Sequence, residues 1–200
     1  AFTAPSGAIS FITRNFSGFD NQGIEAELIY SPIDPLTLYA FIGLQDAKYK
    51  DIDPTITAQA AACQAAIAAM GSTANLCGSG IVNNLGEIAD PVRAPDTYTL
   101  GGSYRFNFGS SLTLTPNVSW ARTGDNNVGT NGAPSGLVDA YDTLDAGLTL
   151  ANVNEGWQIR GKGRNCTDEI HIVSVLSDLA YIQPPRTWSL TFKLDFGGRK

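Results

Sequence analysis

Between residues 188 and 196 the chain reads Trp-Ser-Leu-Thr-Phe-Lys-Leu-Asp-Phe. Trp188, Leu190, Phe192, Leu194 and Phe196 are large and apolar, while Ser189, Thr191, Lys193 and Asp195 are polar. Side chains of a strand point alternately to its two faces, so a period of two gives one oily and one wet surface. A strand of a soluble sandwich could carry the same pattern. Its recurrence narrows the choice: strand-like segments also lie at 9–15, 23–30, 36–45, 98–108, 111–122, 141–150 and 157–164. Their lengths suit a bilayer crossed by strands. Pro116 falls inside one of them and removes a ladder donor, which marks an edge or a bulge.

The expected class is therefore all-β, a transmembrane antiparallel β-barrel. The chain is 43% hydrophobic and 16% charged, with a mean hydropathy near zero, as expected where half of each strand faces water. No apolar run reaches the roughly 18 to 20 residues that a spanning helix needs. The most apolar long stretch, 57–70, is alanine-rich and interrupted by Gln59, Cys63 and Gln64; it is expected to form a short helix in a loop. A net charge of −6 argues against nucleic acid as a partner, because phosphate binding needs clustered Lys and Arg.

The links between segments sort by length. Those at 31–35, 109–110 and 151–156 are tight and rich in Pro, Gly, Ser and Asn, whereas 50–97, 123–140 and 165–186 are long. Short and long alternate, so every long link leaves the same end of the sheet. Short periplasmic turns and long extracellular loops have this arrangement in outer-membrane barrels. With the long loops outside, Tyr49, Tyr98, Trp120, Tyr141 and Trp188 fall at external strand ends, and Tyr30, Phe106, Phe108, Trp157 and Phe196 at the opposite ends. Two aromatic belts are expected where rings sit at the bilayer interfaces.

Several motifs, in order, resemble the distal barrel of TonB-dependent outer-membrane receptors. They are Gly23-Ile24-Glu25-Ala26-Glu27, then 43–49, then Arg93-Ala94-Pro95 opening a strand, then Gly163-Arg164-Asn165-Cys166-Thr167-Asp168, and finally Pro185-Arg186-Thr187-Trp188 leading to Phe196. Cys166 stands where that family has leucine. Gly197-Gly198-Arg199-Lys200 follows Phe196, whereas the family commonly ends on its aromatic residue. The resemblance implies residues 1–196 as the C-terminal part, about eight strands, of a 22-stranded barrel, with 50–97 its long extracellular loop and 197–200 a tail. It implies a receptor and transporter in the outer membrane of a Gram-negative bacterium, driven by TonB in the uptake of a scarce nutrient such as a siderophore, a cobalamin or a carbohydrate. Its implied partners are outer-membrane lipid, the rest of the barrel and its plug domain, and the TonB complex through an N-terminal part that has no counterpart here. The barrel-assembly machinery is a further one, with Trp188, Phe192 and Phe196 as the closing-strand aromatic signal. A self-contained eight-stranded barrel with a structural or adhesive role is the alternative, and an outer-membrane hydrolase a third reading.

No catalytic constellation, cofactor motif or metal-ligand spacing is legible. His171 is the only histidine and lies among Ile170, Ile172 and Val173, so a Ser-His-Asp arrangement has no other base to draw on. Glu25 and Glu27 face one way on a strand and fit a water-filled interior better than acid/base work. Arg105, Arg160, Lys162, Arg164 and Lys193 project to the same side, either balancing acidic groups or attracting an anionic ligand. Asp125, Asn126 and Asn127 hint at a calcium loop without its spaced carboxylates. Cys63 and Cys77 flank a turn-rich stretch and are expected to pair as a disulfide, worth about 3 kcal/mol in the chain-entropy model and implying an oxidising compartment. Ligand contacts are expected first in 50–97.

Overall fold

The computed structural model describes residues 2–3, 9–10, 15–71, 77, 81–83, 85–89, 91, 94–129, 136–152, 154–176 and 179–195. Its strands are β1 (Phe2–Thr3), β2 (Ile9–Ser10), β3 (Gly18–Ile33), β4 (Leu36–Lys50), β5 (Asp96–Tyr104), β6 (Phe106–Phe108) and β7 (Leu112–Thr123). There follow β8 (Asn126–Asn127), β9 (Leu137–Val138), β10 (Tyr141–Asn152), β11 (Trp157–Arg164), β12 (Ile172–Leu176), β13 (Leu179–Ile182) and β14 (Thr187–Leu194). One helix, α1 (Pro54–Met70), lies between β4 and β5.

The principal sheet runs β14-β11-β10-β7-β5-β4-β3, with β6 continuing the line of β5 against β7. Every pairing in it is antiparallel. Residues 34–35, 109–111 and 154–156 turn the chain at one end. At the other end stand the links 51–95, 124–140 and 165–186, which hold α1, the β8–β9 hairpin and the β12–β13 hairpin. Short turns carry their own chemistry. Gly109 (φ 65°) and Gly156 (φ 69°) take the left-handed conformation that the tight reversals require. The Asn152 carboxamide oxygen accepts from the backbone N–H of Asn154 and Glu155, both at 3.0 Å.

Register decides what each face carries, because directly opposed residues of neighbouring strands share a face. Leu28 is opposite Ala40, Ala40 opposite Leu100, Leu100 opposite Trp120, and Trp120 opposite Leu144. Leu150 is opposite Ile159, and Ile159 opposite Phe192. One apolar surface therefore continues across all the strands. It is uncovered: Leu190 is 79%, Trp188 71% and Ile24 68% exposed. The buried apolar residues Ala60, Cys63, Cys77, Val82, Ala89 and Val175 all lie outside the principal sheet. A continuous apolar surface of this extent is a contact surface for something other than water.

On β4 the outward apolar positions run from Leu36 to Leu44, ~27 Å of strand at ~3.4 Å per residue. At the ~40° tilt of barrel strands this stands roughly 20 Å tall, close to the apolar band of an outer-membrane barrel. Past Leu44 the same face turns charged, with Asp46 and Lys48 paired at 2.6 Å and Lys50 reaching Asp20 at 3.4 Å. So β3 and β4 rise beyond the band.

Three sequence expectations change, and a fourth falls outside the described residues. Of the segment 9–15, only Ile9–Ser10 is described as strand and it pairs with Phe2–Thr3 rather than with the principal sheet; 11–14 lie outside the described residues. Pro116 sits in an interior strand rather than at an edge, paired with Leu148. It is tolerated because the ladder on its other side breaks there: β5 pairing ends at Ser103 opposite Asn117 and β6 resumes at Phe106 opposite Leu114. Between them the Arg105 N–H donates to the Pro35 carbonyl at 2.7 Å. Tyr49 and Tyr141 do not join the outer belt, since their partners Phe19 and Thr123 place them on the inward face. Phe196 lies outside the described residues, whereas Trp188 and Phe192 stand on the outward face of β14, opposite Gly163 and Ile159.

Candidate functional site

The functional groups gather at the long-link end and on the inward face. In the link 51–95, Asp53 caps α1 by accepting from the Thr55 N–H at 2.8 Å and its hydroxyl at 2.6 Å. Pro54 opens the helix, Gly71 ends it, and alanine fills much of it. Ala60 and Cys63 pack against Cys77 and Val82, with Ile56, Ile67 and Ile88 around them. Gln64 donates to the Leu85 carbonyl at 2.6 Å. Cys63 and Cys77 are bonded, their Cα atoms 5.1 Å apart, within the usual disulfide range. Helix and following turn thus form a small stapled body. Both thiols should resist labelling until reduced. Reduction should then raise amide exchange across 54–70 roughly a hundredfold, the equivalent of about 3 kcal/mol. Labelling of both cysteines in untreated protein would contradict the pairing.

The links 124–140 and 165–186 join each other. Gly129 bridges Val175 in parallel, and the Val175 N–H donates to the Val128 carbonyl at 3.1 Å. Asp125 accepts from the Ala140 N–H at 2.6 Å and Asn127 from the Gly129 N–H at 2.9 Å. These groups of the suspected calcium loop brace a hairpin. Among the described residues no three Cys, His, Asp or Glu converge as a metal site.

The motif at 163–168 forms a clasp at the root of the last long link. Asn165, 3% exposed with φ 49°, donates from its carboxamide to the Glu169 carbonyl at 2.7 Å and accepts from the Glu169 N–H at 2.9 Å. Its backbone N–H donates to Asp145 at 3.0 Å. Asp168 accepts from the Arg186 N–H at 2.8 Å. Nearby, a Cβ added at Gly163 would meet the Trp188 ring at 2.5 Å and the Cys166 sulfur at 2.9 Å. A glycine there lets the ring lie flat across the strand. Cys166 is a free, half-buried thiol.

His171 is 8% exposed and stacks on Tyr141, ring centroids 3.5 Å apart. Its Nδ1 is buried without a partner among the described residues. Burial lowers its pKa below the ordinary 6.5, and the nearby Glu169 carboxylate acts in the opposite direction. A proton therefore binds more tightly when the loop is open. Packing at His171 is at full strength above ~6.5 and weakens as pH falls through that value toward the folded pKa. Amide protection over 171–176 and 179–183, taken relative to the intrinsic exchange rate at each pH, should fall from about pH 7.5 to about pH 5.5, and His171→Phe should remove that fall.

On the inward face, Glu25 and Glu27 lie on β3, whereas Arg160, Lys162 and Arg164 lie on β11 and Lys193 on β14. β4, β5, β7 and β10 separate the two groups, so inward cations that balance acidic groups do so with nearer partners than Glu25 and Glu27. Lys162 reaches Asp145 at 3.6 Å and Lys193 reaches Asp195 at 3.0 Å, as expected for cations that balance acidic groups. Phe16 and Phe19 gather around Tyr49 at the outer end, with centroids at 5.3 and 6.1 Å.

A sheet with one bare apolar face, one polar face and all its long links at one end is a strand-built membrane wall. Comparison with known proteins gives the same class. No family model matches the sequence and no curated protein is similar to it. Among solved structures, the chain is similar to the ferric yersiniabactin uptake receptor FyuA from Yersinia pestis. The TM-score is 0.66 at 12% identity, over 92% of this chain and 24% of that one. It is also similar to BauA, the ferric preacinetobactin receptor from Acinetobacter baumannii, with a TM-score of 0.63 at 16% identity over 96% and 24%. A chain of the FpvAI–pyocin S2 complex matches with 0.57 at 13% over 89% and 19%. The fold is that of part of an outer-membrane β-barrel, and the chain spans about a quarter of the length of the first two solved receptors.

Proposed function

We propose that this chain is the C-terminal part of the barrel of a TonB-dependent outer-membrane receptor that takes up a ferric chelate. The observation that carries the reading is the bare apolar surface on a sheet whose long links all leave one end. Similarity to two receptors whose names specify ferric siderophores supports the ligand class. The sheet does not close on itself among the described residues, since β3 and β14 are its opposite edges. Unpaired strand edges in hydrocarbon cost several kcal/mol per backbone group, which favours a larger barrel over an autonomous one. In this reading the outer loops capture the chelate, the inward face lines the path, and energy arrives through a plug and TonB; the chain itself is not an enzyme.

The test is growth of the source bacterium on low iron, with single ferric chelates supplied, comparing the intact strain with one lacking the gene. Loss of use of one chelate, reproduced by removing TonB, is the expected result. Iron-limited growth equal in both strains on every chelate supplied would overturn the ligand class.

A further inference from the structure

Positive charge is concentrated on the inward face of β11. Ile159, Gly161 and Gly163 oppose Phe192, Leu190 and Trp188 on the outward face, so the residues between them point inward. Three inward positions in succession are Arg160, Lys162 and Arg164, ~7 Å apart along the strand. The chain as a whole has a net charge of −6, so this run of cations departs from its composition. Like charges at that spacing repel, whereas the uncharged hydroxyls of the neighbouring strands give a wet face without that cost. The run begins in the middle of β11 and ends at Arg164, the root of the long link 165–186.

The flanking strands supply donors beside these cations. Arg160 lies between Thr149 of β10 and Thr191 of β14, Lys162 between Gly147 and Ser189, and Arg164 beside Thr187. Each cation therefore has a hydroxyl next to it. Gly147 also opposes Asn117 of β7, whose carboxamide lies over it: an added Cβ would meet the oxygen at 2.5 Å and the nitrogen at 3.3 Å. A side chain at 147 would come between Asn117 and Lys162. Asp145 offsets one of the three charges, holding Lys162 at 3.6 Å while it accepts the Asn165 N–H at 3.0 Å. Arg160 and Arg164 are exposed, and their cross-strand neighbours are threonines.

We infer that Arg160, Lys162 and Arg164 form a track that draws an anionic ligand inward from the outer mouth along the barrel wall. The inference rests on the uptake reading above and narrows its ligand class: the ferric chelate carries net negative charge on carboxylate or phenolate oxygens. Cations arranged in a column attract an anion at each level without closing around it, which suits passage better than tight capture. The hydroxyls and the Asn117 carboxamide donate to its oxygens along the way.

The experiment uses the full-length protein in non-ionic detergent micelles and the fluorescent anion pyrenetetrasulfonate, read by polarisation. Saturable binding is expected, with a pyrene bearing a trimethylammonium group not bound. Joint replacement Arg160→Gln and Arg164→Gln should weaken binding about tenfold and flatten its salt dependence. The melting temperature of that variant should equal or exceed that of the unaltered protein, because the change relieves repulsion. Failure of the unaltered protein to bind the tetrasulfonate, or equal binding by protein and variant, would overturn the track. A lowered melting temperature with unchanged dye binding would assign the arginines to a contact with another part of the protein, and would overturn it as well. The growth experiment above separates the two readings: use of an anionic chelate is expected. Use of neutral or cationic chelates alone would overturn the charge of the ligand and leave ferric uptake standing.

Discussion

Leu100→Arg should destabilise the folded protein in lipid vesicles by about 2–4 kcal/mol, the cost of a guanidinium on the lipid side near the bilayer midplane. Thr99→Arg, one residue earlier, should change stability by less than about 1 kcal/mol. Leu100 is 47% exposed and lies between Ala40 and Trp120 in the middle of the outward band. Thr99 lies between Phe41 and Ala121 on the other face, where a long cation can reach water and rest on the Phe41 ring. Denaturant titration of the two variants, followed by the heat-modifiable mobility of the folded barrel, measures the difference. Equal losses at both positions would mean that the two faces meet the same medium, and the membrane reading would fall.

Asn165→Ala should release the last long link at a cost on the order of 3 kcal/mol. Two effects add. A buried carboxamide that bonds both the N–H and the carbonyl of Glu169 is lost, leaving those groups unpaired at about 1–3 kcal/mol. The alanine must also hold φ 49°, a left-handed conformation that asparagine tolerates better, at roughly another 1 kcal/mol. Asn165→Gly separates the terms, since it keeps the backbone conformation and loses only the bonds. Amide exchange across 165–186 should therefore rank Ala above Gly above the unaltered protein. Glycine matching the original residue would show that the side-chain bonds contribute nothing.

Most of the barrel wall was legible because the signal there is local. The alternation from Trp188 to Leu194 and the turn chemistry at Gly109 and Gly156 depend on nearest neighbours, and each survives in the sheet. The alanine-rich helix was legible too, from propensity, although its start at Asp53 and Pro54 came earlier than the alanines suggested. The segment 9–15 misled because alternation states that a strand is possible and leaves its partner open. Tyr49 and Tyr141 misled for another reason. Position along a strand was read as height in the membrane, while register alone assigns the face.

Little of the candidate site could be read this way. Nothing near Gln45 in sequence tells that the described β4–β5 pairing ends where Leu44 meets Asp96. Nothing near His171 announces Tyr141, thirty residues away, as its stacking partner. The sequence by itself determined the class of wall, its two faces and the end from which the long links leave, because period, turn type and link length are properties of adjacent residues. Only the tertiary structure decided which loops touch, which rings stack and which charges meet. Those outcomes depend on groups far apart along the chain, brought together by pairings that no short stretch encodes.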